Sequence, residues 1–227
     1  MLPKEACLFN VNSTAQIHFD YLSSLFQIGY TAPNGPKEMQ RKISISTLFK
    51  YICNDKKVDM EGLVYRDALP ADLEQIVAIY NTTIASRLVT ADTEEVSTES
   101  RLAWFEDHSA DRRPLWIVEN QAGDTIGWVS FQSFYGRPAY NGTVEVSIYL
   151  AADKRGAGYG KQILQHTLDT APQFQIKTLL AFIFSHNIPS LNLFYRFGFT
   201  DWGDFPRIAE MDDQEYGLKI LGKRLVP

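Results

Sequence analysis

Cysteine is scarce. Only Cys7 and Cys53 occur in 227 residues, and neither belongs to a CxxC or other metal-ligand spacing. A disulfide scaffold is therefore not expected, and two isolated thiols suit a reducing, cytoplasmic setting. Histidine is equally sparse. His18, His108, His166 and His186 are scattered with no i,i+4 pair, so no metal is expected. Positive charge is not in excess either: 22 Lys and Arg stand against 27 Asp and Glu, for a formal net charge of −5. A nucleic-acid partner would ordinarily call for a basic stripe. No apolar run approaches the roughly 20 residues of a membrane-spanning helix. Glu5 and Asn10 interrupt any signal-peptide core after Lys4. What remains is a chain that is 45% hydrophobic, enough for one good-sized core or for one domain with an appendage.

The first 59 residues read differently from the rest. Tyr30-Thr-Ala-Pro-Asn-Gly-Pro36 breaks any regular element, and 54–59 is a charged stretch. Helices over about 17–26 and 43–51 are weak candidates between them. Met60 opens a segment that reads as an independent start. Residues 1–59 are expected to be an N-terminal extension, either weakly structured or the product of an upstream start codon; a small regulatory region is the alternative. Residues 60–227 are expected to form the working domain.

From Leu63 the elements alternate. A short strand over 63–66 precedes Pro70, which suits the first position of a helix. Leu73, Ile76, Val77 and Tyr80 then share one helical face. Ser97 caps a second helix carrying Leu102, Trp104 and Phe105. Strands follow over 115–119, 126–134 and 144–150, then a helix over 158–170. The apolar run over 178–184 reads as a strand covered on both faces. A helix begins at Pro189 and ends near Gly198. A short strand near 199–202 and a closing strand over 216–225 complete the chain. The order predicts a mixed α/β (α+β) fold with a largely antiparallel sheet.

The most specific stretch is Arg155-Gly156-Ala157-Gly158-Tyr159-Gly160, at a strand-to-helix turn. Glycines admit close backbone approach, and successive N–H groups at a helix start attract an anion. A dinucleotide fingerprint would need a third glycine where Lys161 stands. A P-loop would need glycine at Arg155 and Ser or Thr at Gln162. Both fail, leaving Arg-x-x-Gly-x-Gly.

That turn, in that element order, resembles the pyrophosphate loop of the GNAT superfamily of N-acetyltransferases over residues 63–225. Asn187-Ile188-Pro189-Ser190, followed by Phe197-Gly198-Phe199, is similar to a second family motif. Thr90-Ala-Asp-Thr-Glu94, Arg137-Pro-Ala-Tyr140, Thr143-Val-Glu-Val-Ser-Ile-Tyr149 and Asp204-Phe-Pro-Arg-Ile-Ala-Glu210 resemble the phosphinothricin and amino-acid N-acetyltransferase group.

The resemblance implies a GNAT fold and acetyl-CoA as co-substrate, with a homodimer that uses the 137–142 loop and the final strand as contacts. It implies that the backbone of Ser147, Ile148, Tyr149 and Leu150 meets the pantetheine arm. Arg155, Gly156, Ala157, Gly158, Tyr159, Gly160 and Lys161 would surround the pyrophosphate. Asn187 and Ser190 would touch the cofactor, although both equally suit an ordinary helix N-terminus. Glu145 matches the family's general base; taken alone it is a carboxylate on a sheet face. Arg137 would bind a substrate carboxylate or phosphinate, with Phe134, Tyr135, Tyr140 and Val144 lining the same pocket. Asp92 or Glu94 are weaker partners for an amino group. The position where relatives carry an acidic Tyr or His is Phe194, with Tyr195 beside it, so water is expected to protonate the leaving thiolate.

The activity expected is acetylation of a small amino-acid-like amine such as phosphinothricin, methionine sulfoximine or methionine sulfone. The alternatives are an aminoglycoside, polyamine or protein N-terminal acetyltransferase, and a non-catalytic CoA-binding module.

Overall fold

The computed structural model describes residues 62–225 and the backbone of 57–58. The helices expected over 17–26 and 43–51, with Cys7, His18 and Cys53, lie outside the described residues.

The chain forms one sheet from strands β1 (Lys57–Val58), β2 (Val64–Asp67), β3 (Leu115–Glu119), β4 (Thr125–Ser133), β5 (Thr143–Leu150), β6 (Thr178–Phe184), β7 (Thr200–Met211) and β8 (Gln214–Arg224). Their spatial order is β1-β2-β3-β4-β5-β6-β8-β7. Every neighbouring pair is antiparallel except β5 and β6. The helices are α1 (Leu73–Ile84), α2 (Leu102–Glu106), α3 (Tyr159–Thr170) and α4 (Ile188–Arg196). This is the mixed, mostly antiparallel sheet flanked by helices that the pattern predicts. β1 pairs Lys57 with Tyr65 and Val58 with Val64, so residues upstream of Met60 add a strand to the sheet edge.

Helices cover both faces for a reason visible in the strands. β6 is apolar at nearly every position, and Leu179 and Leu180 are both buried although they point to opposite sides. On one face Val144 and Val146 pack with Ile163 and Leu164 of α3 and with Leu191 of α4. On the other, Ile76 and Ile79 of α1 pack on Ile117 and Trp128. The parallel step from β5 to β6 demands a crossover, which α3 supplies.

The end of the chain differs from the sequence expectation. The short strand near 199–202 is a twelve-residue strand, β7, paired with β8 from Thr200↔Gly222 to Met211↔Gln214. Asp212 and Asp213 both adopt positive φ, +52° and +59°. That is the backbone of a tight hairpin turn, which Asp tolerates better than most residues. Gly203 and Pro206 look like strand breakers. They are accommodated because β7 is the sheet edge and its register shifts between Asp201 and Gly203 and between Phe205 and Ala209. The second helix is shorter than expected, but Ser97 does cap its approach: Ser97 Oγ accepts the Ser100 N–H at 3.2 Å.

Candidate active site

β5 and β6 pair only at Thr143↔Thr178, Val144↔Leu179 and Glu145↔Leu180. Yet β5 continues to Leu150 and β6 to Phe184. Each is held on its far side, β5 by β4 as far as Leu150 and β6 by β8 as far as Phe184. The two strands therefore diverge beyond Glu145 and leave a gap. The Thr143 carbonyl accepts from Phe134 on the β4 side, and the Ala151 N–H also donates to that side, to Ile126. Backbone alternation then turns the N–H and C=O of Ile148 toward the gap. The Leu150 carbonyl, on the same side, accepts from Arg155 Nε at 3.2 Å. An edge of this kind can receive an extended, amide-bearing chain as an added strand.

The glycine turn sits at the end of that edge. Gly156 and Gly158 have φ of +77° and +89°, and an added Cβ at either would meet nothing within 4 Å. Gly158 directly precedes α3 and its carbonyl accepts the Lys161 N–H at 3.1 Å, while the N–H groups of Tyr159 and Gly160 open the helix without an i−4 acceptor inside it. Gly160 has a different role. A Cβ there would lie 3.4 Å from Leu193 Cδ2, so this glycine lets α3 and α4 approach. Residues 155–158 are exposed, with Tyr159 and Gly160 half-buried. Arg155 is partly committed within the chain: Nη2 donates to Thr82 Oγ1 at 2.5 Å while Nε holds Leu150. Lys161 faces a groove shared with Arg196 and Lys223. An open strand edge leading to an exposed, glycine-shaped helix start fits a ligand with an amide arm and a diphosphate.

A cavity of about 220 Å³ lies on the opposite face from α3. Its floor is three cross-strand pairs, Trp128–Tyr149, Ser130–Ser147 and Gln132–Glu145. Strand alternation places all six side chains on one face. Burial raises the Glu145 carboxyl above its ordinary 4.5 and is the sole cause of the shift. The Tyr149 ring stacks on Trp128 at 4.3 Å, and burial pushes its phenol well up. The wall holds Tyr80, Arg101 and Trp104. Tyr80 Oη hydrogen-bonds Thr90 Oγ1 and donates to Asp92 Oδ2 at 2.5 Å. Arg101 Nη2 donates to the same Asp92 oxygen at 2.6 Å, and its guanidinium lies 4.9 Å from the Tyr80 ring centre. Asp92, read as a partner for an amino group, is thus engaged with Tyr80 and Arg101.

Several expected site residues fall elsewhere. Val144 is 0% exposed on the α3 face, so it cannot line the Glu145 cavity; period-two alternation puts its side chain on the wrong side. Phe134 meets Tyr135 at 4.6 Å and Tyr140 at 5.6 Å in a cluster of their own after β4, and Tyr135 is 77% exposed. None of the three lines the cavity, and neither does exposed Arg137 in the same loop. Asn187 is 7% exposed with both ends of its amide in use. Oδ1 accepts the Ser190 N–H at 3.2 Å, and Nδ2 donates to the Leu88 carbonyl at 2.9 Å. Its side chain caps α4 and ties it to the segment after α1, and Ser190 enters that cap through its N–H. Phe194 is buried edge-on against Phe199 at 4.9 Å, and the Tyr195 hydroxyl donates to Asp201 at 2.6 Å. Tyr80, Arg101, Trp104, Trp128 and Gln132 escaped the sequence reading. Only the i,i+3 spacing of Arg101 and Trp104 hinted that two of them share a face.

A strand pair that opens onto a glycine-rich helix start, with a half-buried carboxylate beside the opening, is the arrangement of a transferase that binds an acyl-coenzyme A. The chain belongs to the acetyltransferase (GNAT) domain family, whose profile matches residues 63–200. It is 56% identical over 154 residues to "Putative phosphinothricin acetyltransferase YwnH" of Bacillus subtilis (strain 168), covering 68% of this chain and 94% of that protein. It is 32% identical over 162 residues to the L-methionine sulfoximine/L-methionine sulfone acetyltransferase of Pseudomonas aeruginosa, covering 71% and 94%. Among solved structures it is similar to yncA, "a putative ACETYLTRANSFERASE from Salmonella typhimurium with its cofactor Acetyl-CoA", at a TM-score of 0.66 and 27% identity over 73% of this chain and 95% of that one. The chain is thus an N-acetyltransferase of the GNAT type, a class that uses acetyl-CoA.

Proposed function

We propose that this enzyme acetylates the amino group of a small amino-acid-like acceptor by direct transfer, with Glu145 as general base. One observation carries the reading: a half-buried carboxylate, its proton affinity raised by that burial, lines the cavity on the strand that borders the open edge. An α-amino group has a pKa of about 8, so much of it is protonated at neutral pH. Glu145 is suited to take that proton, directly or through one water. The Ile148 N–H is suited to stabilise negative charge on the reacting carbonyl oxygen. Backbone of 146–150 and the amides of 156–160 would hold acetyl-CoA, which supplies the activated acetyl group. Phe194 has no proton to give and Tyr195 is tied to Asp201, which leaves solvent to protonate the thiolate.

The named activities of the relatives favour phosphinothricin, methionine sulfoximine and methionine sulfone as acceptors. The cavity, at about 220 Å³, also favours a small acceptor, since sites for drug-sized ligands run to roughly 300–1,000 Å³. Acetyl-CoA consumption should be measured with these three, an aminoglycoside, a polyamine and an N-terminal peptide. Turnover confined to the amino-acid group is expected. Preference for a polycation would overturn the substrate class. Coenzyme binding without any turnover would mark a non-catalytic module.

A homodimer belongs to the same proposal. The final strand, β8, lies inside the sheet between β6 and β7, so β7 takes its place as the contact: among the described residues it is a sheet edge of the kind that proteins usually cover, with Trp202, Phe205 and Ile208 exposed on it. Sedimentation should give twice the 25.8 kDa chain mass, and a monomer at micromolar concentration would remove this part.

A further inference from the structure

The geometry points to Arg101 as the residue that selects acceptors carrying a carboxylate. This rests on the reading of the Glu145 cavity as the acceptor site, and it replaces Arg137 in that role. Among the described residues lining the cavity, Arg101 is the only cation and Glu145 the only carboxylate. An α-amino acid presents one group of each sign. With its amine at Glu145, its carboxylate needs a donor on the cavity wall, and Arg101 is there.

The guanidinium is held ready. Nη2 donates to Asp92, the ring of Tyr80 lies under its face, and the Tyr80 hydroxyl fixes the same Asp92 oxygen. Nη2 spends one of its two hydrogens on Asp92, so one edge of the guanidinium, the second Nη2 hydrogen together with that of Nε or Nη1, remains to grip a carboxylate as a fork. Because Tyr80 and Asp92 set the side chain's position, little rotamer freedom is lost when an anion arrives. Arg137, by contrast, is exposed on the loop after β4 and outside the cavity lining.

The test compares two acceptors, methionine sulfoximine and the amine left when its carboxylate is removed, in wild type, Arg101→Met and Arg101→Lys. Arg101→Met should raise KM for the amino acid by about ten- to a hundredfold, the range for one hydrogen bond to a charged group. Its kcat should change little, and KM for the amine should stay near wild type. Arg101→Lys should recover part of the loss. Coenzyme affinity by calorimetry should match wild type in both variants, which reports that they are folded.

An equal loss with both acceptors would assign Arg101 a structural role through Asp92 and overturn the proposal. So would an unchanged KM for the amino acid, or a carboxylate-selective loss in Arg137→Met instead. A wild-type enzyme that acetylates polyamines but no amino acid would overturn the proposed function itself, which separates the two failures.

Discussion

Glu145→Gln should lower turnover by about a hundred- to ten-thousandfold, the usual contribution of a positioned general base, while coenzyme affinity stays at the wild-type value. The two effects separate because Glu145 faces the acceptor cavity, whereas the coenzyme edge begins beyond it. Glutamine keeps the size and cannot accept the proton. The pH profile gives the sharper test. A base works deprotonated, and burial has raised this carboxyl above 4.5, so the rising limb of the wild-type rate should lie above the ordinary carboxylate range and vanish in the variant. Stability should respond with the opposite sign. Burial favours the neutral acid, so this group's contribution is fully present below its unfolded value. It is lost as pH rises through the folded one. The Gln variant's melting temperature should therefore depend less on pH across that window. Wild-type turnover by Glu145→Gln at neutral and high pH would end the assignment of the base.

Gly158→Val should cut coenzyme affinity by at least about tenfold and barely affect the fold. Position 158 sits at φ +89° immediately before α3. An L-residue in the left-handed region costs about 1–2 kcal/mol, and a β-branched one fits it worse. The added Cβ meets no atom within 4 Å, so packing does not resist and the strain stays in the backbone. An exposed turn relieves it by rotating back to negative φ, which turns its amides away from the ligand. Since about 1.4 kcal/mol is a tenfold change in binding, the strain alone accounts for the loss. Melting should shift by only a few degrees, because about 1 kcal/mol moves a chain of this size by roughly 2–4 °C. Calorimetry with acetyl-CoA reads the first effect and a thermal melt the second. Undiminished affinity in a folded Gly158→Val protein would show that the 155–160 turn does not hold the diphosphate.

The places where the sequence was legible share a local cause. Period-two alternation sets Val144 and Val146 opposite Glu145 and Ser147, because neighbouring residues on a strand point to opposite faces whatever packs there, and it overrules the expectation that Val144 lines the substrate pocket. The run over 178–184 announced a doubly covered strand for the same reason. The glycine turn was legible because two of its glycines answer to backbone conformation, a property of a few adjacent residues. β7 was not legible: Gly203 and Pro206 are breakers by local rule, and only its place at the sheet edge makes them tolerable.

The amino-acid order by itself determined the element sequence, the mixed sheet, the glycine turn and the strand that carries Glu145. Tertiary structure alone decided which side chains share the cavity. Arg101 lies 44 positions before Glu145 and meets the same space through Tyr80 and Asp92, while Arg137, only eight positions away, stays outside it. A strand or turn is specified by its immediate neighbours. A cavity is specified by how helices settle on a sheet, which depends on contacts between residues far apart in the chain, and no short pattern records those.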